Sequence, residues 1–113
     1  MALSSYDITI LQGSDYALEL TLKDSIGDPI DITGATILSQ IRTSWDAPII
    51  ATFGSLITDG PNGKFNIYLS GAVSQAIALP LRARYDILLT FLNGVKMRVL
   101  EGNCTTDLAI SHV

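Results

Sequence analysis

Apolar residues in this 113-residue chain recur at every second position, in short runs that turn residues interrupt. That period belongs to a pleated strand with one face buried. Tyr6, Ile8 and Ile10 alternate with Asp7, Thr9 and Leu11. Tyr16, Leu18, Leu20 and Leu22 alternate with Ala17, Glu19, Thr21 and Lys23. Ala35, Ile37, Ser39 and Ile41 point opposite to Thr36, Leu38, Gln40 and Arg42. Residues 49–57 form the next strand, with Gly54 a bulge or a site of close approach. Phe65, Ile67 and Leu69 then share a face, as do Ala83, Tyr85, Ile87, Leu89 and Phe91. The breaks carry turn chemistry. Gly27 is free to take positive φ, Pro29 belongs at a corner or an edge, and Gly34 and Gly63 close further turns. Residues 70–79, "SGAVSQAIAL", break the alternation with small residues, a capping serine and Pro80 beyond. They fit one or two turns of helix across one end of the fold.

The last hairpin permits a register test. A two-residue loop at Asn93-Gly94 would set Phe91, Leu89 and Ile87 against Lys96, Arg98 and Leu100, putting charge into the apolar face. A three-residue loop, Leu92-Asn93-Gly94, sets them against Val95, Met97 and Val99. It also gives Gly94 the left-handed position of a G1 bulge. The second register is expected. It turns Arg84, Asp86, Leu88, Lys96, Arg98 and Leu100 outward. Gly102 is expected to mark a bulge before a final strand over residues 104–110. Seven or eight short strands with one short helix near residues 71–79 predict an all-β, antiparallel sandwich or barrel. Residues 1–113 read as a single domain with short flexible ends.

Composition narrows the function. Charged residues make up 16% of the chain, against about 25% in ordinary soluble domains. Mean hydropathy is positive, at +0.38. Abundant Ser and Thr account for part of this; a surface that other chains cover accounts for the rest. The net charge of −4 speaks against nucleic acid as a partner. Residues 1–60 carry eight acids and two bases, whereas residues 61–113 carry three acids and five bases. That asymmetry suits head-to-tail association. Residues 1–5 have neither a basic region nor a long apolar run, so neither a signal peptide nor a membrane span is expected. The Asn103-Cys104-Thr105 sequon, with no secretory signal, reads as a chance match.

No catalytic constellation emerges. Cys104 and His112 fit no metal-ligand spacing, and no third group orients them as a nucleophilic pair. "GPNGK" is too short for a phosphate loop and lacks the hydroxyl after its lysine. Asp24, Asp28 and Asp31 crowd one corner, where aspartate serves turns in its own right. The expectation is a chain without catalytic residues, metal or cofactor. Interface candidates remain. Arg84, Leu88, Leu92, Lys96 and Arg98 mix bases with outward leucines on the C-terminal hairpin. Trp45, Asp46, Pro48 and Ile49 form a loop in which Trp45 either anchors a partner or covers the sandwich edge.

Three segments carry a resemblance: "DITILQGSDYALELTLKDSIGDPIDITGATILSQIRTSWDAP", "DGPNGKFNIYLSGAVSQAIALP" and "RYDILLTFLNGVKMRVLEG". Over about residues 7–108 the chain resembles the immunoglobulin-like N-terminal domain of bacteriophage baseplate upper proteins, and short stand-alone versions encoded among virion genes. The resemblance implies an immunoglobulin-like sandwich in a virion structural protein, assembled in the host cytoplasm. Its partners would be other virion proteins and copies of itself, without nucleic acid or membrane. Baseplate upper proteins continue into a long fibre or receptor-binding region, whereas this sequence ends at Val113. A stand-alone part in the tail, baseplate or fibre attachment is therefore expected. The alternatives are a head decoration protein and a carbohydrate-binding attachment module using Trp45 and Tyr68.

Overall fold

The computed structural model describes residues 4–44, 46–76 and 82–107. The strands are β1 (Ser4–Ser5), β2 (Ile8–Leu11), β3 (Tyr16–Thr21), β4 (Thr36–Arg42), β5 (Ala51–Thr52), β6 (Gly54–Asp59), β7 (Lys64–Leu69), β8 (Arg82–Thr90) and β9 (Lys96–Asp107). One helix, α1 (Gly71–Ala76), precedes β8. The large sheet runs β1-β9-β8-β4-β5, with β2 also on β9, and the small sheet runs β3-β7-β6. The two sheets form the expected β-sandwich. Among the described residues the nine segments make seven passes of the chain. β1 and β2 are one pass along β9, and β5 and β6 are another that changes sheet at Phe53.

Two expectations about the strands change. The pairing is not wholly antiparallel, because β1 and β2 lie parallel to β9. Residues 49–57 are not one strand either: pairing starts at Ala51 and breaks at Phe53. Phe53 lies between the sheets, its ring centroid 6.3 Å from that of Tyr16 and 6.3 Å from that of Tyr85. Gly54 is a site of close approach, since a Cβ there would meet the Tyr68 ring at 2.3 Å.

The core follows the alternation. Ile8, Ile10, Phe65, Ile67, Leu69, Ile87 and Leu89 are buried between the sheets. Each contributes about 1.5–3 kcal/mol through burial. The exposed Arg98–Asp86 ion pair, at 3.1 Å, is worth no more than about 1 kcal/mol. Apolar packing therefore holds the sheets together.

The hairpin confirms the three-residue loop. The Phe91 N–H donates to the Val95 carbonyl at 2.8 Å, Leu89 faces Met97, and Gly94 sits at φ 86°. Beyond that the register departs from expectation. Ile87 faces Leu100, not Val99, because a bulge at Val99 inserts one extra residue. Val99 and Leu100 are both buried, so the alternation of β9 reverses there. Leu100 points inward, correcting its outward placement. Gly102 is not the bulge. It lies within a continuous β9, and a Cβ there would meet the Tyr6 carbonyl oxygen at 2.0 Å. The Tyr85 hydroxyl donates to that same carbonyl.

Turn chemistry closes both ends. Gly27, Gly34 and Gly63 have φ of 93°, 76° and 71°, and Pro29 bridges Lys23. At the other end α1 docks through Ser74, which is fully buried. Its hydroxyl accepts from the Gly13 N–H at 3.0 Å and lies 2.9 Å from the Ser14 carbonyl. Ser70 caps the helix by accepting from the Val73 N–H at 3.3 Å. Residues 77–79 of the expected helix lie outside the described residues.

These contacts set an order of damage. Gly102→Ala drives a Cβ into backbone and should cost about 1–3 kcal/mol. Gly27→Ala meets open space, and its left-handed φ should cost about 1–2 kcal/mol. Ser74→Ala orphans the Gly13 donor and should cost about 1–3 kcal/mol. Urea denaturation of the three variants against the parent chain measures each value.

Candidate functional site

The outer face of the large sheet gathers most of the expected interface residues. Register places Arg42 directly beside Arg84, and Arg84 beside Asn103. In the next row Gln40 faces Asp86 and Asp86 faces Glu101. The row after that holds Leu38, Leu88 and Arg98, and the last holds Thr36, Thr90 and Lys96. Two of these rows set like charges directly opposite each other, which is destabilising on a free sheet surface. Arg98 relieves Asp86 through its ion pair. Among the described residues Arg42, Arg84 and Glu101 have no ion-pair partner.

Polar contacts nevertheless fix the guanidinium groups. Arg42 donates to the Ala47 carbonyl at 2.6 Å and to Gln40 Oε1 at 3.2 Å. Arg84 donates to Asn103 Oδ1 at 3.3 Å. An open groove of about 370 Å³ runs between them, with Asp86, Arg98 and Glu101 along its other side. Next to the groove, Leu38 and Leu88 form an apolar step, with Leu38 45% exposed. This arrangement can receive a carboxylate and cover an apolar side chain beside it.

Other candidates lie elsewhere. Leu92 belongs to the hairpin tip, beyond the end of β8, and rests on Gly34, where a Cβ would meet it at 2.8 Å. Asp46 accepts from the Ser44 hydroxyl at 2.7 Å, and Pro48 and Ile49 are exposed. Their loop borders the groove through the Arg42–Ala47 contact. Trp45 and His112 lie outside the described residues. Tyr68 is exposed on the outer face of the small sheet, lying across Gly54.

The acidic corner serves turns. Asp24 Oδ1 accepts from the N–H groups of Ile26 and Asp28, and Asp31 Oδ1 accepts from the Thr33 N–H. Hydrogen bonds from the side chain and backbone of Thr33 hold Asp31 below its ordinary pKa. Among the described residues no three His, Cys, Asp or Glu side chains converge as for a metal ion. Cys104 is buried, and burial pushes its thiol up to about 11. Burial also raises Tyr85, with nearby Tyr16, Cys104, Tyr6 and Asp7 adding to it.

Arg42, Gln40, Leu38 and Glu101 were not among the sequence candidates. Their outward direction was readable for β4, but its neighbour in the sheet was not. For Glu101 the signal was the adjacent apolar pair Val99-Leu100, which marks the change of alternation. No protein-family model and no curated protein matches this chain.

Two outcomes follow for Cys104. Its native thiol should react with an aromatic disulfide reagent at least about 1,000-fold slower than the unfolded chain, since labelling needs opening. The folded state holds the proton that the unfolded thiol loses near pH 9. Stability from this group is thus complete below that pH and declines as pH rises toward about 11. Urea midpoints of the parent and Cys104→Ala across pH 7–11 should converge as this contribution disappears.

Proposed function

We propose that this chain is a non-enzymatic structural protein of a bacteriophage virion, working in the tail, baseplate or fibre-attachment region by docking in many copies. One observation carries the reading. The outer face of the large sheet sets like charges opposite one another in two adjacent rows, Arg42 beside Arg84 and Asp86 beside Glu101, next to a leucine step on which Leu38 is exposed. A free surface gains nothing from that arrangement, whereas a covered one uses both halves. The low charged fraction of 16% agrees. The resemblance of the turn motifs to phage baseplate domains supplies the setting.

The mechanism is geometric. A rigid sandwich presents fixed patches, and the symmetry of a particle repeats each modest contact many times. Imaging purified virions that encode this chain should find many ordered copies in the tail or baseplate. Finding it on the capsid surface would replace the reading with head decoration. Its absence from the particle would overturn both.

A further inference from the structure

The small sheet ends on one side in an open strand. β3 is hydrogen-bonded to β7 alone, so its other edge is unpaired among the described residues. Register fixes which backbone groups point there. The Leu22 N–H donates to the Gly63 carbonyl at 2.8 Å, one step beyond the Thr21–Lys64 pair. Backbone direction alternates along an antiparallel ladder. The N–H and C=O groups of Tyr16, Leu18 and Leu20 therefore point to β7, and those of Ala17, Glu19 and Thr21 point to the open edge. The other described edges are blunted. β5 has two residues, the first pass of the chain is broken into β1 and β2, and β6 carries a register shift between Ile57 and Asp59. β3 runs six residues in unbroken register, with no proline, glycine or lysine. Such an edge is a template for another strand.

We propose that two copies of the chain join edge to edge through β3, antiparallel, about a two-fold axis at Leu18. The strand's own charge pattern argues for a second copy as the occupant, because β3 complements itself in this register. A two-fold keeps the same face inward in both copies, so paired residues share parity and the axis passes through one residue. The greatest overlap of the six residues puts that axis at Leu18 or Glu19. An axis at Glu19 would set its carboxylate directly against its copy, and one at Ala17 would set Glu19 against Asp15; both are destabilising. An axis at Leu18 sets Glu19 against Ala17, Thr21 against Asp15 and Tyr16 against Leu20. The outward backbone groups of Ala17 and Glu19 then form the hydrogen-bonded pairs of the new ladder, and Leu18 meets its copy with Cα atoms about 4.5 Å apart. On the inner face Tyr16, Leu18 and Leu20 are each only half-buried, and their copies cover what the open edge leaves exposed. Two three-stranded sheets become one of six strands. The contact is isologous and closes as a pair. It leaves the large-sheet face free and does not depend on the virion reading.

Sedimentation velocity on the full chain, from about 10 µM to about 1 mM, tests this. The average mass should rise with concentration from the 12.1 kDa monomer toward a dimer. Charge variants read the register. Ala17 and Glu19 are exposed, and unchanged thermal melts establish that each variant folds. Ala17→Glu sets a carboxylate against Glu19 on both sides of the axis and should weaken the dimer about 2- to 30-fold. Ala17→Lys should tighten it by a similar factor, and that gain should shrink as salt is added. The double variant Ala17→Glu/Glu19→Lys puts opposite charges back across the axis and should recover at least the parent's association. A parent chain that stays monomeric to about 1 mM overturns the inference. So does association that ignores the charge placed at Ala17, or a double variant as weak as Ala17→Glu alone. A monomeric parent found in many copies in a virion would sink this pairing and leave the docking function standing. Dimers formed by a chain absent from every particle would do the reverse.

Discussion

One extra residue in β9 decides which way the second half of that strand faces. Before Val99 the inward positions of β9 include Met97; after it they are Leu100, Gly102 and Cys104. Without the bulge, Glu101 and Asn103 would point into the core, where a carboxylate without a partner is untenable. With it, Leu100 meets Ile87, and Gly102 lies opposite Tyr85. The bare backbone at Gly102 admits the Tyr6 carbonyl, which the Tyr85 hydroxyl then satisfies. The first pass of the chain is thereby locked parallel to the last. The same reversal sends Glu101 outward to the row of Asp86, beside the row of Arg42 and Arg84. Core, edge and surface chemistry all follow from that insertion.

The surface that results is costly for an isolated molecule. Like charges sit opposite one another in two adjacent rows, and an exposed Leu38 lies beside a half-buried Leu88 in a third. Neither feature helps folding. Both become favourable when a partner brings a carboxylate and an apolar side chain together. The interior shows no comparable compromise. Its described polar groups, Ser39 and Ser74, are hydrogen-bonded, and Cys104 is kept neutral by burial.

Much of the fold was legible because period-two alternation and turn residues are local signals. The hairpin loop could be placed from Gly94, since only one loop length kept Lys96 and Arg98 out of the apolar face. The same reasoning failed two residues later. Val99 and Leu100 are both apolar, so a uniform register looked satisfactory until the bulge made both buried. The change of sheet at Phe53 was hidden for a similar reason: residues 49–57 are apolar enough for one strand, and only the opposing sheets decide where it breaks. The site was half legible. The hairpin showed its outward bases and Leu88, but the pairing of β4 with β8 brings Arg42 to Arg84 and Leu38 to Leu88 across distant sequence.

The central claim is that the outer face of the large sheet is covered when the chain is at work. Hydroxyl-radical footprinting of the purified chain and of purified virions of the proposed kind tests that claim directly. Leu38, Leu88 and the Arg42/Arg84 row should be labelled in the isolated chain and strongly protected in the particle, while Tyr68 on the small sheet serves as an internal reference. Equal labelling of that face in both states would contradict the account.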